Sequence, residues 1–426
     1  MSFPKYERYK DSGVEWLGEV PEHWEVKRLR FVVELNPSKV EVANLNRDML
    51  ASFLPMEAIG EDGSLRIDLE KPIGELESGY TYFRNGDVTI AKITPCYENG
   101  KGALMDGLVN GIGFGTTELI VARPKPKEII GSYLHYLFIS SVFRSIGESH
   151  MYGAGGQKRV PDVFVRNFST ALPPLLEQNL ITTFLNNEIA KLDKLVVEQQ
   201  RLIELLKEKR QAAISHAVTR GLSPNVKLKP SGIEWIGDVP VHWDVKKLRY
   251  LCNIQTGARD TEHAVEDGEF PFFVRSQTIE QINSKSFDCE AVLTAGDGAG
   301  VGKVFHYYEG PFDFHQRVYM MNNFKGILGR FFFHYFREHF YRVALEGGAK
   351  STVDSLRRPM LTNFPVCLPP KDEQEEIIRA VEKSAASFDI LTTEAQRAID
   401  LLQERRTALI SAAVTGKIDV RQLNKN

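Results

Sequence analysis

Apolar positions step by four and three residues alternately in two stretches of the chain. In the first they fall on Leu185, Ile189, Leu192, Val196, Ile203 and Leu206, with Gln199, Arg210 and Ala213 in the remaining slots. In the second they fall on Val381, Ala385, Phe388, Ala395, Ile399, Leu402 and Leu409, with Thr392 and Arg406 interrupting. A seam of about four heptads predicts two long amphipathic helices of some 35–40 residues, roughly 50–60 Å at 1.5 Å per residue. Leu195, Leu202 and Leu205, with Leu391, Ala398 and Leu401, widen each stripe beyond a bare two-stranded zipper. A helix this long is marginal in water without a partner.

The natural partner is the other copy, because the two stretches are one sequence used twice. Leu172-Pro173-Pro174 with Glu177-Gln178 returns as Leu368-Pro369-Pro370 with Glu373-Gln374, a shift of 196 positions that then holds without a gap. Asp193 matches Asp389, and Ile214-Ser215 matches Ile410-Ser411. The alternative is two ordinary helices in unrelated cores, which the gapless repetition disfavours. If a two-fold axis relates the copies, they pair antiparallel.

A second repeat precedes each helix. Residues 12–30, SGVEWLGEVPEHWEVKRLR, match residues 231–249, SGIEWIGDVPVHWDVKKLR, at thirteen of nineteen positions and a shift of 219. Paired tryptophans (Trp16, Trp24; Trp235, Trp243) beside Gly and Pro predict a turn-rich segment that docks its rings on a larger body, since large rings bury much area per residue. The middles, 31–171 and 250–367, share little sequence. They keep the order of a short strand (Val88–Ala91; Val292–Ala295), a glycine loop ending in Gly-Lys, a second strand near 118–122 or 317–321, a helix with His135-Tyr136 or His334-Tyr335, and another glycine loop. The chain is thus a tandem duplication. Its parts are a first domain 1–171, a first spacer helix 172–222, a second domain 223–367, and a second helix with tail 368–426. The fold class expected is mixed α/β: two pseudo-symmetric domains separated by two long helices in an antiparallel coiled coil. The tail at Val414–Ile418 is expected to come back beside the first repeat segment.

Composition narrows the function. At 426 residues and 42% hydrophobic content the chain holds two or three globular units. No apolar run approaches a membrane span, and the opening residues lack the apolar core of a secretory signal. Four scattered cysteines without a CxxC pair read as reduced thiols, so a cytoplasmic protein is expected. No metal cluster is expected, and His334 and His339 among aromatics read as packing residues. A net charge of −3 leans against DNA held by phosphates alone. Dividing the chain does not change this: residues 1–171 carry 20 basic and 23 acidic groups, residues 223–367 carry 17 of each. Nucleic-acid binding therefore requires local clustering of charge.

Catalytic motifs are lacking. Gly296-Asp297-Gly298-Ala299-Gly300-Val301-Gly302 has no phosphate-loop spacing and runs into Lys303-Val304-Phe305, which reads as a strand rather than a helix start. Neither Leu-Pro-Pro is an adenine-methyltransferase tetrapeptide, and no serine elbow or carboxylate pair stands out. Two similar domains with different middles, repeated where scaffolding falls and divergent where contacts fall, suit a reader of two half-sites.

The SGVEWLGEVPEHWEVKRL opening, Gly86–Ala91, Gly296–Val304 and both Leu-Pro-Pro…Glu-Gln helices resemble the specificity subunits of Type I restriction–modification systems. The resemblance implies two target recognition domains, each reading half of a split double-stranded DNA site, and a coiled coil that sets the gap. It implies two modification subunits docked on the helices, carrying S-adenosylmethionine for adenine methylation, and restriction/translocase subunits using ATP and magnesium. No cofactor or catalytic residue is expected on this chain. A non-catalytic protein-interaction scaffold is the alternative.

Base contacts do not follow from that resemblance and are chosen by chemistry: loop Lys and Arg hold phosphates, while Arg, Asn and Gln read base edges. The candidates in the first domain are Lys92, Thr94, Asn99, Lys101, Gln157, Lys158 and Arg159. Those in the second are Arg275, Gln277, Lys303, His315, Gln316, Arg317, Lys350 and Ser351. The run Phe331–Phe336 reads as a buried helix face rather than a base-stacking surface.

Overall fold

The computed structural model describes residues 3–154, 156–346 and 355–423. They form two compact units, residues 1–198 with 398–426, and residues 199–397, so each long helix contributes to both.

The first long helix runs Leu175–Arg220 and the second Lys371–Val414, 46 and 44 residues. Each is longer than the seam alone predicts. The helix begins directly after Pro-Pro, before the seam starts, and its last turns bury apolar residues in the adjoining unit. In the first unit, Ile181, Leu185, Ile189 and Leu192 near the start of the first helix pack with Leu409, Ile410, Ala413 and Val414 at the end of the second. In the second unit, Ile214, Ala217 and Val218 near the end of the first helix pack with Ile377, Ile378 and Val381 near the start of the second. Beginning meets end in each unit, the antiparallel arrangement. The seam residues Leu185, Ile189, Leu192, Leu206, Val381, Ile399 and Leu409 are buried, and Val196, Ile203, Phe388 and Leu402 are half-buried. Ala213 is exposed; Ile214 takes the buried position there instead. Polar seam slots carry ion pairs: Arg406 Nε lies 3.6 Å from Asp193 in the first unit, and Arg210 Nη2 3.5 Å from Asp389 in the second.

The first unit has a four-stranded sheet in the order Val33–Leu35, Leu119–Pro124, Val88–Ala91, Gly102–Leu104, all antiparallel neighbours. A second sheet, ordered Glu70–Pro72, Leu50–Leu54, Ile112–Gly115, Thr81–Arg84, accounts for the extra length of this half. The second unit repeats the first sheet's order with Asn253–Thr256, Val318–Asn322, Phe287–Ala295 and Phe305–Phe314, and extends it by Phe270–Phe273 and Glu280–Ile282. The helix Gly131–Ile139 carries His135-Tyr136 and its counterpart Gly329–Glu346 carries His334-Tyr335. Phe331, Phe332, Tyr335 and Phe336 are fully buried, a core face as the sequence implied.

The repeated segments are fastenings. Trp24 and Trp243 are fully buried, and the indole N–H of each donates to the repeated glutamate of a long helix, Trp24 to Glu177 (3.1 Å) and Trp243 to Glu373 (3.0 Å). Trp16 stacks on Phe168 and Trp235 on Phe364. The repeated glutamines tie down the loop entering the preceding helix: Gln178 accepts from Ile130 N and donates to Glu128 O, while Gln374 accepts from Leu328 N and donates to Gly326 O. Buried amides need such partners, which is why the Glu-Gln pair recurs with Leu-Pro-Pro. The tail closes on the start of the chain, with Asp419 N donating to Pro4 O and Lys417 Nζ to Glu19 O.

Candidate nucleic-acid interface

The strand order that recurs in the two separate sheets, one in each unit, places their end loops at corresponding positions, fixed by register. In the first unit Leu119 pairs with Ala91; in the second Val318 pairs with Ala295. The residue before each partner, Glu118 or Arg317, and the residue two beyond Ala91 or Ala295, Ile93 or Asp297, therefore occupy equivalent sites. The equivalence extends further: Ile93 bridges Arg159 and Asp297 bridges Ser355.

In the first unit the strand end is tied by backbone. Lys92 N donates to Glu118 O and Lys92 O accepts from Val160 N, both at 2.8 Å. Thr94 Oγ1 donates to Gly156 O (2.6 Å) and accepts from Lys158 N (3.1 Å), so this threonine shapes the glycine loop from within. Arg159 engages Glu118 through Nε and Nη2, both at 2.9 Å. That paired hydrogen bond holds the Glu118 carboxyl below its ordinary range and raises the guanidinium. Gln157 and Lys158 are exposed beside the pair. Asn99, exposed, donates to Glu61 (2.8 Å), and the half-buried Lys101 donates to Met56 O (3.3 Å), so each is engaged within its own unit.

In the second unit Asp297 receives two arginines, Arg275 Nη1 on Oδ1 at 3.0 Å and Arg317 Nη1 on Oδ2 at 2.8 Å. Burial is the largest single influence on Asp297 and opposes its ionisation, but the two guanidiniums together outweigh it and hold the carboxyl below its ordinary range. The Arg275 and Arg317 side chains remain 43% and 60% exposed, so each keeps free donors. Behind them, His315 Nδ1 accepts from Arg317 N at 2.9 Å, and Gln316 Nε2 donates to Asp260. His315 is 2% exposed, so the expectation of a surface contact fails there. It seats the Arg317 backbone, and burial depresses its pKa. Gln277 is exposed and donates to Phe305 O. Lys303 lines a separate pocket of about 290 Å³ with Lys207, Arg210, Gln211, Arg337 and Glu338 rather than joining the arginine pair. Lys350 and Ser351 lie outside the described residues.

Sequence reasoning missed Glu118 and Asp297, which orient the arginine candidates, and Asp260, which holds Gln316. The only signal for Asp297 was its place in a glycine run; nothing distinguished Glu118. Among the described residues no group of three or more His, Cys, Asp or Glu is placed to hold a metal ion, and no helix is long and apolar enough to cross a membrane.

A different surface lies on the helices. Leu195 and Leu391, matched by the repeat, are 48% and 52% exposed, and the matched Leu205 and Leu401 are also exposed. These widening positions are not covered by the chain itself.

Residues 240–399 match the family described as type I restriction modification DNA specificity domain. Over 189 residues the chain is 44% identical to the type I restriction enzyme EcoAI specificity subunit of Escherichia coli, spanning 44% of this chain but only 31% of that protein. Against the putative type I restriction enzyme MjaX specificity subunit of Methanocaldococcus jannaschii it is 23% identical over 447 residues, covering 99% of each. In fold it matches a chain from a structure on complex assembly and conformational transition of the type I R-M system, with a TM-score of 0.74, 18% identity and coverage of 93% and 98%. It also matches the HsdS subunit from Thermoanaerobacter tengcongensis, with a TM-score of 0.58, 18% identity and coverage of 94% and 98%. In its second half the chain thus matches a type I restriction modification DNA specificity domain, and along its whole length it is similar to a type I restriction enzyme specificity subunit.

Proposed function

We propose that this chain reads a bipartite duplex DNA site for a type I restriction–modification complex, one unit per half-site, and performs no catalysis itself. The observation that carries the reading is the pairing of repeated fastenings with unlike strand-end loops: sheets of matching strand order present Arg159–Glu118 in one unit and Arg275–Asp297–Arg317 in the other. A scaffold needs no such difference, whereas a reader of two unlike half-sites does. The exposed Leu195 and Leu391, equivalent by repeat, supply two like surfaces for two modification subunits. Those partners would carry S-adenosylmethionine, and restriction/translocase subunits would use ATP and magnesium, all in the cytoplasm where the DNA lies. A chain with net charge −3 offers DNA no broad positive field. Its specific binding then depends on basic partners and weakens less steeply with salt than that of a strongly cationic protein.

The test is selection from randomised duplex DNA by the chain with and without its modification subunits. Enrichment of two fixed half-sites at one spacing, with the partners present, is the expected result. Binding without base preference refutes recognition, and methyl transfer by the chain alone refutes the non-catalytic assignment.

A further inference from the structure

Resting on that reading, we infer that Arg317 and Arg275, fixed by Asp297, are the guanine-reading residues of the second unit. The equivalent strand-end site, Glu118 with Arg159, sets a different preference in the first.

Geometry supplies the argument. A guanine presents O6 and N7 side by side in the major groove, and a planar guanidinium meets both at once. Such a fork discriminates only if it is held before the base arrives. Asp297 takes one nitrogen, Nη1, from each arginine. That leaves Nη2 and Nε on each side chain for an outside acceptor. The carboxylate is itself fixed: its strand end bridges Ser355, and the neighbouring Gly296 O accepts from Leu356 N at 2.8 Å. His315 holds the Arg317 backbone from below. The cluster carries one net positive charge, two guanidiniums against one carboxylate, on the exposed edge of a unit with no excess of basic residues elsewhere.

The first unit makes the contrast. At the site of Arg317 it has Glu118, and Arg159 commits both Nε and Nη2 to that carboxylate. This pair is neutral, and its guanidinium edge is already used. A guanine fork is absent where the topology would put one. The unpaired lone pairs of Glu118 suit an amino group, cytosine N4 or adenine N6, instead.

The experiment uses the full chain with its modification subunits and a randomised duplex library, comparing the natural protein with Arg317→Ala, Arg275→Ala, Asp297→Asn and Glu118→Gln. One half-site should contain a guanine whose preference over other bases falls about 5- to 150-fold in Arg317→Ala or Arg275→Ala, the range for loss of a bidentate pair. Asp297→Asn should weaken the same position, and the other half-site should be unaltered, which also verifies folding. Glu118→Gln should alter the other half-site alone. Three results would each overturn the inference: no guanine in the affected half-site, a uniform loss of affinity with preferences intact (phosphate contact only), or unchanged preferences. If the natural complex enriches no half-site at all, DNA reading fails first, and that outcome is distinct from a bipartite preference that ignores these arginines.

Discussion

Replacing Glu177 with alanine should loosen the first fastening far more than replacing Glu373 loosens the second, although the sequence makes the two glutamates equivalents. Glu177 accepts from Tyr6 Oη at 2.6 Å and Trp24 Nε1 at 3.1 Å, and lies 2.7 Å from His23 Nε2. Tyr6 and Trp24 are 5% and 0% exposed, so alanine strands two buried donors. Each stranded donor costs about 1–3 kcal/mol, giving roughly 2–6 kcal/mol together. The same burial, joined by the Glu177 carboxylate, lifts the Tyr6 hydroxyl well above its ordinary pKa, so it stays protonated and needs the acceptor at every working pH. Glu373 serves Trp243 Nε1 at 3.0 Å and His242 at 2.8 Å, but its side chain is 26% exposed against 7% for Glu177. Water can replace that carboxylate, and the loss should be about 1 kcal/mol. Native-state hydrogen exchange reports each fastening separately. Protection across Tyr6–Trp24 should fall at least about 30-fold in Glu177→Ala, against about 5-fold across Ile233–Trp243 in Glu373→Ala. Equal losses, or a larger loss in the second, would refute the burial argument.

Three further outcomes follow from other sites. Arg123 Nε and Nη2 hold Asp87 at 2.7 and 2.8 Å, with the carboxylate 1% exposed; Arg123→Met should destabilise the first unit by about 3–5 kcal/mol in thermal unfolding, because it leaves a buried charge unpaired. His339, packed against Trp235 and Tyr335, has its pKa lowered by burial to about 4. The unfolded chain takes up that proton near pH 6.5 and the native chain does not, so this histidine's contribution is full above about 6.5 and is lost as pH falls toward 4. Up to about 3 kcal/mol is involved, and His339→Phe should flatten that part of a stability–pH curve. Leu195→Glu with Leu391→Glu should change unfolding by no more than about 0.5 kcal/mol, since both are exposed, while abolishing co-purification of a modification subunit; retained association would remove the helices as the docking surface.

Much of this protein was determined by local pattern. The heptad spacing and its gapless return specify two helices and their partnership, because an apolar stripe on a long helix has to be covered along its length. The paired tryptophans specify a docked segment, since rings of that size go inside. The partners of the first turn were less legible: Glu177 and Gln178, near the start of Leu175–Arg220, are bound by Trp24 and Ile130 from distant segments, which no spacing announces. The candidate interface was half legible. Arg159, Arg275 and Arg317 stood out by type and loop position, but whether a guanidinium is spent or free depends on carboxylates far away in sequence. Glu118 consumes Arg159, while Asp297 shares itself between two arginines and leaves both with donors to spare. His315 resembled a surface contact until strand pairing put it under Arg317. Periodicity fixes which face of an element is apolar, whereas the chemistry offered to a ligand is settled by which strand ends meet, and that meeting is made by tertiary packing alone.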